Sequence, residues 1–245
     1  MTQTLERKVV LVTGASSGIG AATARTLATA GHHVILTARR TDRIKALAAD
    51  LTTDGHSAEA RPLDVTDAGQ FHEVAEEVVN SHGRLDVLVG NAGVMLLSRL
   101  DALLVEEWDR MLDVNVRGLF NGIAATLPIF RRQGGGHFVT VASIGAHQVV
   151  ETSAIYSATK YAAWALTEGL RLESEPSIRV TTISPGVVDT ELADHITDPF
   201  AAESMREYRS ALIRPEDIGN AIAYALNQPA DVDVNEIILR PSAQR

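Results

Sequence analysis

The 245-residue chain has no cysteine, which excludes disulfides and thiolate chemistry and makes the cytoplasm the expected compartment. No stretch approaches the ~20 consecutive apolar residues a membrane-spanning helix needs. Met1 to Lys8 is polar, without the apolar centre of a signal peptide. Basic residues are in the minority: 22 Lys and Arg against 31 Asp and Glu leave a net charge of −9. With no basic block either, nucleic acid and anionic membrane are disfavoured as partners. Repeats and low-complexity tracts are also missing. What the chain does have is apolar material, 45% of its residues, ample for a buried core.

The chain is organised around Lys8 to Leu27. There the apolar run Val9-Val-Leu-Val12 meets Thr13-Gly14-Ala15-Ser16-Ser17-Gly18-Ile19-Gly20 and then an alanine-rich helical pattern free of Pro and Gly. A short apolar run bounded by glycine reads as a strand buried on both faces. A helix that starts at a glycine turn leaves its first N–H groups unpaired at its positive end, a prepared site for phosphate. The spacing Gly14-xxx-Gly18-x-Gly20 departs from G-x-G-x-x-G but keeps its mechanics. No Lys-Ser or Lys-Thr follows the last glycine, so a Walker-type loop is disfavoured. Taken alone, the motif is also compatible with an ordinary tight turn between strand and helix.

Further strands are expected at His33–Ala38, 58–62, 85–89, 137–142, 179–183 and 235–239, alternating with helices. This pattern predicts an α/β fold of Rossmann type: one domain over residues 1–245, with a doubly wound parallel seven-stranded sheet of order 3-2-1-4-5-6-7 and helices on both faces. The candidate residues follow strand ends, the side on which such sheets bind ligands. The second strand ends at Ala38-Arg39-Arg40, with no acid in place to accept from a ribose. Guanidinium matches phosphate geometry, so this end favours NADP(H), with Arg39 as the 2′-phosphate ligand and Arg40 in support. The plainer alternative is that two exposed arginines open the next helix. Asp64 can accept from an adenine amino group with Val65 flanking the ring, and Thr66 or Asp67 can cap the helix that follows.

Asn91-Ala92-Gly93 follows the fourth strand with small residues against which a ligand can lie. Asn115 interrupts a long amphipathic pattern from Val105 to Arg132; it either bends that helix with its own groups satisfied or marks a kink that orders a water. Ser143 ends the fifth strand, and Tyr156 and Lys160, four residues apart, share a helix face that points back toward it. Glu191 to Leu212, of weak periodicity and mixed charge, reads as a mobile segment.

Thr13-Gly14-xxx-Gly18-x-Gly20, Asn91-Ala92-Gly93, Asn115, Ser143, Tyr156-xxx-Lys160 and Pro185-Gly186 together resemble the short-chain dehydrogenase/reductase family over essentially the whole chain. The resemblance implies a catalytic tetrad of Asn115, Ser143, Tyr156 and Lys160. Tyr156 would be the acid and base, Ser143 would stabilise the carbonyl oxygen, Lys160 would favour the phenolate and grip the nicotinamide ribose, and Asn115 would hold a relay water. It also implies an NADP(H) site formed by Gly14, Ser16, Ser17, Gly18, Ile19, Gly20, Arg39, Arg40, Asp64, Val65, Asn91, Ala92, Gly93, Tyr156, Lys160, Pro185, Gly186, Val188 and Thr190, without a metal. Substrate, a small carbonyl compound or its alcohol, would sit against Val94 to Leu97, Gly145 to Val150 and a loop at about 190–213. Ser98, His147, Gln148 and Glu151 are the possible polar contacts.

Gly90 stands where many members of the family have Asn. The C-terminus lacks the family's common Asp-Gly-Gly ending and looks like the branch of hydroxy-acid dehydrogenases and clavulanic-acid-type reductases. The resemblance also implies a homo-oligomer, a dimer or tetramer, with the helices over Val105–Arg132 and Ala154–Glu173 as its faces, although apolar helix faces are equally read as core. Two other activities share such a fold: a silent NADP(H)-binding regulator, against which the intact Ser-Tyr-Lys set argues, and a non-redox isomerase or dehydratase.

Overall fold

The computed structural model describes residues 7–244, so most of the polar lead before Lys8 and the terminal Arg245 lie outside the described residues. The elements are β1 (Val9–Thr13), α1 (Gly18–Thr29), β2 (His33–Ala38), α2 (Thr41–Thr53), β3 (Ser57–Pro62), α3 (Ala68–His82), β4 (Val87–Gly90), α4 (Val105–Leu112), α5 (Gly118–Gln133), β5 (Gly136–Val141), α6 (Ala154–Glu173), β6 (Ile178–Pro185), α7 (Pro199–Tyr208), α8 (Pro215–Leu226) and β7 (Glu236–Leu239). The seven strands form one sheet of order β3-β2-β1-β4-β5-β6-β7, every ladder parallel, as expected from the sequence.

Strand side chains alternate between faces, and the core divides accordingly. Val10, Val12, Val34 and Leu36 pack with Leu27 of α1, Ile44 and Leu47 of α2 and Ile222 of α8. Val9, Leu11, Ile35 and Leu88 face the other way, onto Phe71 and Val78 of α3 and Ile129 and Phe130 of α5. A smaller third cluster, Leu96, Leu97, Met111, Tyr156 and Ala201, lies beside the cleft described below.

Two stretches differ from expectation. The Val105–Arg132 pattern is interrupted by a π turn over Asp113–Arg117, with Asn115 buried inside it. The segment taken as mobile carries a 3₁₀ turn at Glu191–His195 and the helix α7. Asp198 caps α7 by accepting from the Ala201 amide at 2.8 Å, and Pro199 occupies its first turn. Ala201 is the one residue of α7 that is buried, so the helix has almost no apolar stripe to read.

Three imidazoles take up a proton only below their ordinary value: His32 and His33 because of burial and nearby positive groups, and His137 well below it because of burial and the charges of Arg179 and Lys8. The folded chain resists protons that the unfolded chain accepts, so stability should fall as pH drops below about 6.5, most through the fully buried His137 and less through the partly exposed His33. Thermal melts at pH 7.5 and 5.5 test this. A melting temperature flat across that interval would clear the histidines.

Candidate active site

A cleft of about 410 Å³ runs along the C-terminal ends of the strands. At its floor Gly14 has φ +65°, a conformation costly for any residue with a side chain, and a Cβ there would meet Ala92 Cα at 2.9 Å. Gly20 lies one layer behind, where a Cβ would stand 2.4 Å from the Gly14 carbonyl oxygen. Ser17 precedes α1 without a side-chain cap bond, so the first amides of the helix are left for a ligand. Asn91 braces the turn, donating from Nδ2 to the Thr13 carbonyl at 2.8 Å, while its own amide donates to Thr13 Oγ1 at 3.0 Å.

At one end of the cleft Arg39 is mostly exposed and stands 3.9 Å from Asp64. Asp64 Oδ1 accepts from the amide and the hydroxyl of Thr66, at 3.0 and 2.8 Å. Burial pushes this carboxyl up, but the Thr66 bonds and the Arg39 charge outweigh it and leave it below its ordinary value. Asp67 is the helix cap, accepting from Gln70 N at 2.9 Å. Arg40 donates from Nε to Ser16 Oγ at 3.0 Å and from Nη2 to Ser17 Oγ at 2.6 Å, and pairs through Nη1 with Glu191.

At the other end Ser143, Tyr156 and Lys160 come together. Ser143 follows β5, and its Oγ accepts from the Gly145 amide at 3.0 Å; it lines the cleft beside Tyr156. Lys160 Nζ donates to the Val141 carbonyl at 3.0 Å and lies 5.8 Å from the centre of the Tyr156 ring. Burial raises the phenol above its ordinary value, and the nearby Ser143 hydroxyl only partly offsets that. Burial also pulls the Lys160 ammonium down to about 8. Desolvation is thus the largest influence on both the phenol and the ammonium.

Asn115 spends its side chain on structure. Oδ1 accepts from Val94 N at 2.8 Å, and Nδ2 donates to Val94 O at 2.9 Å and to Thr159 Oγ1 at 3.0 Å. It does not reach the main cleft. With Lys160 and Thr13 it lines a separate cavity of about 20 Å³, room for one water. Both readings of Asn115 thus survive: its amide is satisfied, and a water-sized space lies beside it.

Gly14, Ser16–Ile19, Arg39, Arg40, Asp64, Val65, Asn91–Gly93, Pro185, Gly186, Val188 and Thr190 all line the cleft; of the residues expected at the cofactor, Gly20 alone does not. Among the four polar substrate contacts expected, only Gln148 lines it. His147 is turned to Ser184 and Glu236, at 3.1 and 2.9 Å. Ser98 is buried, and Glu151 pairs with Arg99 outside. Instead the wall includes Met95, Leu97, Val150, Met205 and Tyr208, with Arg110 and Arg209 as charged members. The sequence reading missed Glu191, Arg110 and Arg209. No local signal marks them: Glu191 and its partner Arg43 are 148 residues apart. A separate grouping, His33, Glu59 and His82, lies on β2, β3 and the end of α3, away from the strand ends that line the cleft, where Arg61 Nε donates to Glu59 at 3.2 Å.

The parallel sheet and its glycine turn define a Rossmann-like protein with a cleft fit to hold a dinucleotide. Residues 8–199 match the short chain dehydrogenase family model, and the chain belongs to this family of oxidoreductases. It is 43% identical over 240 residues to an uncharacterized oxidoreductase of Staphylococcus saprophyticus, covering 97% of each chain. It is 38% identical to one of Listeria monocytogenes, covering 98% of this chain and 99% of that one. Among solved structures, an alcohol dehydrogenase of the archaeon Thermococcus sibiricus, complexed with 5-hydroxy-NADP, is 33% identical with a TM-score of 0.88 over 98% of this chain and 99% of that one. The closed form of a serine dehydrogenase complexed with NADP+ is 31% identical, also at 0.88, over 97% and 96%. No helix among the described residues is long and apolar enough to cross a membrane.

Proposed function

We propose that the protein is an NADP(H)-dependent oxidoreductase that interconverts a small or medium ketone or aldehyde with its alcohol. The observation that carries this reading is the convergence of Ser143, Tyr156 and Lys160 at the inner end of a cleft whose other end is the glycine turn and Arg39. The NADP-bound relatives support the cofactor. When bound, the nicotinamide supplies or accepts the hydride at the carbonyl carbon.

The chain's own residues do the rest. Tyr156 gives its phenolic proton to the carbonyl oxygen in reduction and takes it back in oxidation, and Ser143 donates to that oxygen as charge develops on it. Burial keeps the phenol protonated near neutrality, which suits reduction. Lys160 carries protons onward through the water-sized cavity it shares with Asn115, and also holds the ribose. The amides at the start of α1 would take the pyrophosphate, Arg39 the 2′-phosphate, and Asp64 and Val65 the adenine. Thr190, whose Oγ1 accepts from Leu192 N at 3.4 Å, keeps its proton to donate to the carboxamide. The apolar wall with Met95, Leu97 and Met205 excludes water and favours a substrate with an apolar body. Exposed Phe120 on α5, with Tyr161 and Leu172 on α6, supports a homo-oligomer, and the absence of cysteine supports a cytoplasmic setting.

The test is NADPH consumption, read by absorbance, against aldehydes, aryl ketones, β-ketoesters and, in reverse, hydroxy acids. Turnover with at least one class is expected, favouring NADPH over NADH. Tight NADPH binding with no turnover anywhere would instead support a regulatory dinucleotide-binding protein. Product formed without any change in absorbance would indicate an isomerase or dehydratase.

A further inference from the structure

Glu191 opens the segment after Thr190, and both of its carboxylate oxygens are engaged. Oε1 pairs with Arg40 Nη1, and Oε2 accepts from Arg43 Nη1 at 3.0 Å. Burial pushes this carboxyl up, yet hydrogen bonds from Ser17, Arg43 and Arg40, with the Arg40 charge, hold it at about 2. An ordinary exposed ion pair contributes little. This one differs in joining three parts of the chain at once: the glycine turn through Ser16 and Ser17, the start of α2 through Arg43, and the wall segment through Glu191.

All three nitrogens of Arg40 already donate to the protein, whereas Arg39 has, among the described residues, only the distant Asp64. The segment beyond Glu191 is tied to the catalytic end, because Ala201 of α7 packs in the cluster that contains Tyr156. Thr190 lies over the glycine turn, its Cγ2 2.9 Å from where a Gly18 Cβ would be.

We propose that Glu191 is a positioning residue that ties the wall segment across the cleft to Arg40 and Arg43, so that Arg40 is a strut holding the dinucleotide in place while Arg39 alone reads the 2′-phosphate. The proposal rests on the cofactor reading above. The strut acts on the adenosine and pyrophosphate that NADPH and NADH share. Breaking it therefore speeds the release of both dinucleotides equally. Because the pair is partly exposed, salt weakens it.

The test is stopped-flow displacement of NADPH and of NADH from full-length wild type, Glu191→Gln and Arg43→Gln. Each variant should raise both dissociation rates roughly five- to tenfold, as loss of a partly screened charged hydrogen bond allows. The double variant should add little to either single one. Raising NaCl from 50 to 500 mM, roughly a threefold shortening of the screening length, should speed release from wild type and leave Glu191→Gln nearly unchanged. Melting curves report whether a variant is folded, and Arg43→Gln probes the same bridge from α2 should Glu191→Gln fail to fold. Unchanged rates would overturn the proposal. A change confined to NADPH would also overturn it, placing Glu191 in the 2′-phosphate site, and tighter NADPH binding would mean that the carboxylate competes with the phosphate. If wild type binds neither dinucleotide, the cofactor reading itself fails.

Discussion

Tyr156→Phe should lower turnover roughly 10²- to 10⁴-fold, the usual contribution of a positioned acid or base, while leaving NADPH binding and the fold intact. The substitution removes one hydroxyl and keeps the ring that packs with Leu96, Leu97 and Met111. Losing the polar contacts of one hydroxyl costs only about 1 kcal/mol of stability and so cannot account for such a loss of rate. The group acts in the transition state alone, so kcat and kcat/KM should fall together. The sign of the pH dependence follows from burial, which raises the phenol above its ordinary value. Reduction, which needs the protonated phenol, should be level through neutrality. Oxidation needs the phenolate and should quicken as pH rises. Steady-state rates in both directions from pH 6 to 10, with NADPH affinity measured by fluorescence, check this. A variant that keeps a tenth or more of wild-type turnover would remove Tyr156 from the chemistry.

The sheet was legible because its signals are local and repeated. Runs such as Val9–Val12 and His33–Ala38 are apolar enough to be buried on both faces, and β2 and β7 lie where the pattern puts them, to within a residue. The glycine turn was legible for a steric reason: no other residue fits where Gly20 faces the Gly14 carbonyl. The Ser143, Tyr156 and Lys160 grouping followed from a strand end and a helical spacing of four. What stayed hidden depends on side chains that turn in three dimensions. His147 reads as a loop residue facing either substrate or solvent, yet its ring is held by Ser184 and Glu236 on two neighbouring strands. Asn115 announces itself as a poor helix residue, but nothing local says that Val94, 21 residues earlier, takes its amide. α7 was unreadable because a helix that buries a single alanine has no periodicity to detect.

Arg39→Asp should lower kcat/KM for NADPH roughly 10- to 100-fold, consistent with about 1.5–3 kcal/mol for a lost charge-assisted hydrogen bond, and should raise it for NADH. The guanidinium is exposed at the mouth of the cleft, and its nearest acid, Asp64, is 3.9 Å away, too far to neutralise it fully. An aspartate there would repel a 2′-phosphate and instead offer an acceptor to the two ribose hydroxyls of NADH. It would also stand near Asp64 without a cation between them, so the variant should lose some stability at neutral pH and regain part of it as the pH falls toward 4, where the two carboxyls share protons. Arg40 is expected to behave differently. Its nitrogens donate to Ser16, Ser17 and Glu191, so Arg40→Ala should weaken NADPH and NADH alike. Two neighbouring arginines are thereby separated by one measurement, the ratio of kcat/KM for the two cofactors. It moves strongly for residue 39 and hardly at all for residue 40. An unchanged ratio in Arg39→Asp would remove the phosphate from this end of the cleft, and with it the preference for NADPH.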